Sequence, residues 1–95
     1  MKLIAETDMK CKQARFYRDG GHLAECYPEN SPNSMKTNVY RYLSGAIKSF
    51  NKKHYFWFDS TGIPFTAEHL RKLELEALGV ARAQIREMEI KKSQK

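Results

Sequence analysis

The aromatic run His54-Tyr55-Phe56-Trp57-Phe58 constrains the fold of this chain more than any other segment. It is too short and too aromatic for a helix, and turn-forming residues 59–62 follow it, so it predicts a β-strand over residues 54–59. Alternation puts Tyr55 and Trp57 on one face and two phenylalanines on the other, so both faces are apolar. Either the strand is covered on both sides, which we favour because a small domain needs its largest side chains in its core, or one face is open to a partner.

Glycines and prolines divide the N-terminal third of the chain. Gly20 and Gly21 follow Asp19 and can supply the positive φ angles of a hairpin turn, so residues 10–27 are predicted to form a β-hairpin. Residues 27–34 contain two prolines among several turn-forming residues, and they are predicted to form a loop.

An apolar stripe with helical spacing follows this loop. Its members are Met35, Val39, Tyr42, Leu43, Ala46, Ile47 and Phe50. Their spacing predicts an amphipathic helix over residues 34–51, capped by Ser34 or Asn33. The opposite face of this helix is polar and positively charged.

The C-terminal region is predicted to be helical over residues 66–92. Thr66 can cap this region, and Phe65 and Leu70 stand at the positions of a hydrophobic staple. Gly79 interrupts the apolar pattern, which favours a pair of helices hinged at that glycine.

This helical pair has two interpretations. We favour a helical hairpin that completes the core. The alternative is a helix-turn-helix whose recognition helix directs Arg82, Gln84 and Arg86 outward to nucleic acid.

Together the segments predict an α+β fold class in a single domain over residues 1–95. Its elements are an N-terminal β-hairpin, a central amphipathic helix, an aromatic strand and a C-terminal helical pair.

Residues that carry chemistry in enzymes are sparse. Cys11 and Cys26 do not face each other in the predicted hairpin, so a disulfide is disfavoured and buried free thiols are expected. His22, His54 and His69 do not stand at metal-ligand spacing from either cysteine. We therefore expect no metal, no cofactor and no enzymatic activity.

The charge balance favours anionic partners. Lys and Arg number 17 against 11 Asp and Glu, which gives a net charge of +6 and excludes an acidic mimic of DNA. No apolar run approaches the ~20 residues of a membrane span, and no signal peptide is recognisable, so we expect a cytoplasmic protein with no membrane partner.

Residues 38–58 hold seven of the eleven aromatic side chains, interleaved with four Lys or Arg. Rings beside cations either hold nucleic acid or anchor a protein interface, because rings offer rigid contact area and cations steer the partner. The predicted partner-binding residues come from this block and the loop after it: Tyr40, Arg41, Lys48, Lys52, Lys53, Tyr55, Trp57, Pro64 and Phe65.

In size, basicity and mixed α/β pattern, the chain resembles the small anti-RecBCD proteins of lambdoid phages. The resemblance implies a phage-type accessory or counter-defence protein in the host cytoplasm. Such a protein would bind and inhibit or modulate a host protein complex, such as a recombination or defence nuclease. The alternative is a small basic nucleic-acid-binding module with a helix-turn-helix-like tail, and a homodimer is compatible with either function.

Overall fold

The structure, a computed structural model, describes residues 2–59 and 62–93, with side chains through residue 90. Three strands form an antiparallel sheet in the order β2-β1-β3: β1 is Lys2–Asp8, β2 is Gln13–Tyr17 and β3 is His54–Asp59. The helices are α1 (Gly20–Glu25), α2 (Pro32–Ser44) and α3 (Leu70–Ser93), and a 3-10 turn at Ala67–His69 leads into α3. The predicted α+β class is confirmed.

The centre of the sheet is β1, which the sequence patterns did not identify as a strand. Five consecutive residues of β1, Leu3 to Thr7, are buried, as expected of a strand with a neighbour on each side and helices on both faces. In the register, Ile4 lies between Tyr17 of β2 and Trp57 of β3.

Helices cover both faces of the sheet. On one face, α1 and α2 complete a core cluster that consists of Ile4, Tyr17, Leu23, Ala24, Met35, Val39 and Tyr55. On the other face, α3 packs through Leu73, Ala77 and Ala81 on Ala5 of β1 and two phenylalanines of β3. Small residues on α3 and β1 let this helix approach the sheet closely.

The N-terminal hairpin is confirmed, but it spans residues 2–17 rather than 10–27. The predicted turn at Asp19 is instead the start of α1, because the Asp19 side chain accepts the N–H of His22 at 2.8 Å and caps that helix. The predicted second strand, from His22 onward, is therefore mostly helical. The true turn follows Asp8, whose carboxyl group accepts the N–H groups of Lys10 and Cys11.

The aromatic strand is confirmed at residues 54–59, although it lies at an edge of the sheet. Tyr55, Phe56 and Phe58 are buried, so both faces of β3 are covered as favoured. Trp57 is the exception, with 41% of its surface exposed. The strand therefore combines features of the two predicted arrangements.

The central helix is shorter than predicted. It begins with Pro32 in its first turn, where the missing N–H is not needed, and Gly45 ends it in the left-handed conformation at φ 86°. Residues 46–51 are not helical, although Phe50 still packs against the α2 side of the core.

The C-terminal helix is confirmed, but the predicted pair of helices is a single helix, α3, that continues through Gly79. A Cβ placed on Gly79 would meet no atom within 4 Å, so no close packing requires glycine there. Since α3 has no turn, the helix-turn-helix interpretation is wrong. None of the helices in the described part of the chain is long and apolar enough to cross a membrane.

Candidate functional site

A buried acidic side chain lies at the centre of the sheet face covered by α1 and α2. Glu6 of β1 is only 2% exposed, and three tyrosine hydroxyls donate to its carboxyl group. Tyr17 donates to Oε1 at 3.1 Å, whereas Tyr27 and Tyr55 donate to Oε2 at 2.6 and 2.7 Å. Glu6 and these three tyrosines, here called the tyrosine cluster, join all three strands to the segment after α1.

The tyrosines of this cluster are held as hydrogen-bond donors. Burial raises the pKa of Tyr17 and of Tyr55, and the neighbouring Glu6 raises both further. Burial also raises the pKa of Tyr27, whose oxygen accepts from Lys53 Nζ at 3.3 Å. A hydroxyl that is held protonated and already donates to a carboxyl group is a poor nucleophile or base, and its hydrogen bond to Glu6 stabilises the fold.

A second polar chain connects the two helical layers at one end of the sheet. The ring of buried His54 lies between α2 and α3, with Nδ1 2.6 Å from the Tyr42 hydroxyl and Nε2 2.8 Å from Gln84 Oε1. Gln84 is therefore half-buried and turned inward, contrary to its predicted place on a recognition helix. Arg82 and Arg86 are exposed, but they lie on the continuous helix α3.

The Trp57 surface consists of Trp57, Tyr40 and Lys2. The Trp57 and Tyr40 ring centroids are 6.4 Å apart, and Lys2 Nζ lies 5.6 Å from the centroid of the indole. The Tyr40 hydroxyl accepts the N–H of Gly20 at 3.0 Å, which fixes its ring against α1. The exposed indole is thus held between a fixed ring and a cation, in a defined orientation.

Phe65 belongs to a second surface, the Phe65 groove, of about 420 Å³. The groove is lined by Ala14, Arg15, Phe16, Phe65, Leu70, Arg71 and Glu74. The Phe65 and Phe16 rings meet edge to face, with centroids 5.9 Å apart. At its floor, Glu74 accepts the N–H of Ala14 at 3.1 Å and a hydrogen bond from Arg71.

The structure separates the predicted partner-binding residues. Trp57 and Tyr40 lie on the α2 side of the sheet at its β3 edge, whereas Phe65 contacts β2 on the α3 side. Four further residues are exposed outside the core: Arg41, Lys48, Lys52 and Pro64. The predicted residues therefore lie on at least two separate surfaces.

Two predicted contact residues have other roles. Tyr55 is predicted to bind a partner, but it is not available at the surface, because it is only 2% exposed and its hydroxyl is in the tyrosine cluster. Lys53 is half-buried and donates to Tyr27.

Sequence patterns missed Lys2 and the acceptor of the tyrosine cluster. The available signal for the acceptor was one acid, Glu6, directly after the apolar Leu3-Ile4-Ala5. An acid in such a context is either a solvated position or a paired buried one, and only the fold distinguishes the two.

Among the described residues, no group of three or more His, Cys, Asp or Glu could hold a metal ion. Cys11 and Cys26 are free, as expected, but they are exposed rather than buried. No protein-family model, no curated protein and no solved structure matches this chain.

Proposed function

We propose that this protein is a binding protein that docks on a host protein complex through the Trp57 surface and thereby inhibits or modulates that complex. The resemblance to anti-RecBCD proteins suggests a phage-type accessory or counter-defence role, with a recombination or defence nuclease as the partner. The observation that carries the proposal is the exposure of Trp57, at 41%, on an ordered strand.

Tryptophan is the side chain most enriched among residues that dominate protein interfaces. Its immediate neighbours in β3 are buried, so the strand itself does not need a further aromatic side chain on its surface. The indole is already oriented by Tyr40 and Lys2, so little conformational entropy is lost when a partner covers it.

The surrounding charge supports a partner with an acidic surface. From Asn30 to Phe58 the chain contains five Lys or Arg and no Asp or Glu. The members are Lys36, Arg41, Lys48, Lys52 and Lys53. All except half-buried Lys53 are exposed, so they can steer an acidic partner toward β3.

The test is capture of host proteins from lysate, with and without nuclease treatment, by the native chain and two variants. Trp57→Thr keeps a strand-forming residue but removes the indole. Phe65→Thr is the matched control, because Phe65 has nearly the same exposure, 42%, in the Phe65 groove.

We expect nuclease-insensitive capture of a defined complex, with affinity reduced at least about tenfold by Trp57→Thr and little changed by Phe65→Thr. Retention that disappears after nuclease treatment would instead indicate phosphate binding by the basic face. Loss confined to Phe65→Thr would transfer the interface to the Phe65 groove and contradict the proposal.

A further inference from the structure

The two edges of the sheet differ. At the β2 edge, α3 supplies Glu74, whose side chain accepts the outward N–H of Ala14 and so pairs one backbone donor of that edge. At the β3 edge, the described residues contain no further strand. Natural proteins usually protect such edges, so an open edge that also exposes a tryptophan needs a reason.

The hydrogen-bond pattern identifies the backbone groups that face outward from β3. Because the N–H of Ala14 turns away from β1, alternation directs residues 13, 15 and 17 of β2 toward β1. Their partners in β1 are residues 8, 6 and 4, respectively, whose backbone N–H and C=O groups therefore point toward β2. The backbone groups of residues 3, 5 and 7 point the other way, toward β3, where they pair with residues 58, 56 and 54. The N–H and C=O groups of Tyr55 and Trp57 therefore point away from the sheet.

These outward groups have no partner in the described part of the chain. Among the described residues, no hydrogen bond outside the ladder reaches the backbone of Tyr55 or Trp57. Two donors and two acceptors thus stand in line, at strand spacing, beneath an exposed indole.

We propose that β3 accepts an extended acidic segment of the partner protein as a fourth strand, an inference that rests on the proposed function. Main-chain hydrogen bonds to Tyr55 and Trp57 would bind the segment, as in other cases of β-strand addition. A residue directly opposite Trp57 would lie about 5 Å away between Cβ atoms, close enough for an apolar side chain to cover the indole.

Charge selects the occupant. The segment before β3 carries Lys48, Lys52 and Lys53 with no acid, and Lys2 lies beside Trp57 on the neighbouring strand. A segment with Asp or Glu on either side of an apolar residue complements these cations. A second copy of this chain would bring two molecules of net charge +6 together, which opposes pairing of two β3 edges.

The experiment selects binders from a displayed library of random peptides, each long enough to form one strand, on the immobilised full-length protein. NMR then measures amide exchange in the protein with and without a selected peptide. Trp57→Thr tests the indole, and Phe65→Thr is again the matched control. Sedimentation of the peptide-free protein reports its oligomeric state.

We expect selected peptides to be rich in Asp and Glu around an apolar residue. Bound peptide should slow exchange of the Tyr55 and Trp57 amides at least about tenfold, with little change at Phe56 and Phe58, whose amides already face β1. Trp57→Thr should weaken peptide binding about tenfold. Selected peptides without acidic enrichment, binding that leaves the Tyr55 and Trp57 amides unchanged, or a dimer that protects them without peptide would each overturn the inference.

The two proposals fail separately. Suppose that a host complex is captured in a Trp57-dependent way but does not protect the Tyr55 and Trp57 amides. This result would retain the proposed function and overturn strand addition. Peptides that protect both amides, together with no captured host complex, would retain an acidic-strand acceptor and overturn the proposed function.

Discussion

At the scale of single residues, the tyrosine cluster makes the observed register of the sheet more stable than a shifted register. Glu6 is buried and receives three hydroxyl donors only when it faces α1 and α2. A slip of one residue would turn Glu6 toward α3, among Phe56, Ala77 and other apolar side chains, and leave its carboxyl group without these donors. Glu6 therefore opposes the register error that an apolar strand would tolerate.

The cluster predicts a loss of stability at alkaline pH. The pKa values of Tyr17 and Tyr55 are raised in the folded protein, so their stabilising contribution is complete below the unfolded value of about 10. Above that pH the unfolded chain loses protons that the folded chain keeps. The free energy of unfolding should then fall by about 1.4 kcal/mol per pH unit for each such tyrosine.

Urea denaturation from pH 8 to about pH 11 measures this slope. Tyr55→Phe should lower the free energy of unfolding at pH 8, because Glu6 loses a hydrogen-bond donor. It should also reduce the alkaline slope by the contribution of one tyrosine, about 1.4 kcal/mol per pH unit. An unchanged slope in Tyr55→Phe would mean that Tyr55 does not carry the effect. Tyr40→Phe, which lies outside the cluster, is the control.

Gly20 is required by a close approach between α1 and α2. A Cβ at this position would lie 2.7 Å from Cε2 of Tyr40, whose hydroxyl also accepts the Gly20 N–H. Gly20→Ala should therefore displace Tyr40, lower the melting temperature and change Trp57 fluorescence. Gly21→Ala, whose nearest contact is the side chain of Asp19 at 3.2 Å, should do this much less, and equal effects of the two variants would contradict the contact.

At the scale of elements, two glycines in or beside helices have opposite roles. Gly45 ends α2 at φ 86°, where a side chain is strained, whereas Gly79 lies inside α3 with no atom within 4 Å of an added Cβ. Gly45→Ala should destabilise the protein by about 1 kcal/mol, and Gly79→Ala should stabilise it by about 0.5–1 kcal/mol. Chemical denaturation measures both changes, and a destabilising Gly79→Ala would instead indicate a bend or turn within α3.

The same elements show which parts of the fold sequence patterns can predict. The run from His54 to Phe58 specifies its own strand, because the four consecutive β-favouring side chains from Tyr55 onward leave little choice locally. Gly79 and Asp19 do not specify their local structure. A glycine can stop a helix or lie within it, and Asp-Gly-Gly can form a turn or cap a helix. Contacts distant in sequence decide these cases, such as the approach of Gly20 to Tyr40.

The candidate site was predictable only in part for a related reason. Trp57 and Phe65 are exposed, as predicted contact residues must be, although burial of both faces of the strand was favoured. Their positions at opposite edges of the sheet depend on β1, which pairs with β3 across about fifty residues of chain. Alternation places Tyr55 and Trp57 on the same face of β3. It does not reveal that Tyr55 is buried on Glu6 whereas Trp57 stays exposed beside Tyr40 of α2.

At the scale of the whole molecule, the distribution of charge is more informative than the net value of +6. The carboxyl-free stretch from Asn30 to Phe58 includes α2 and most of β3, whereas residues 6–29 contain five acids and α3 contains four. The cationic stretch therefore leads directly into the strand that exposes Trp57.

This coincidence predicts that steering and anchoring contribute to different rate constants. Raising the salt concentration from about 0.1 M to about 1 M shortens the Debye length from about 10 Å to about 3 Å. The association rate with the captured complex or a selected acidic peptide should then fall at least about tenfold, with a small change in the dissociation rate. Trp57→Thr should instead raise the dissociation rate and change the association rate little. Lys48→Glu should lower the association rate as added salt does, because Lys48 is exposed and lies outside the Trp57 surface. Surface plasmon resonance separates the two rates. If salt changed the dissociation rate as strongly as Trp57→Thr does, ion pairs would hold the bound complex as firmly as the indole, and the division between steering side chains and an aromatic anchor would be wrong.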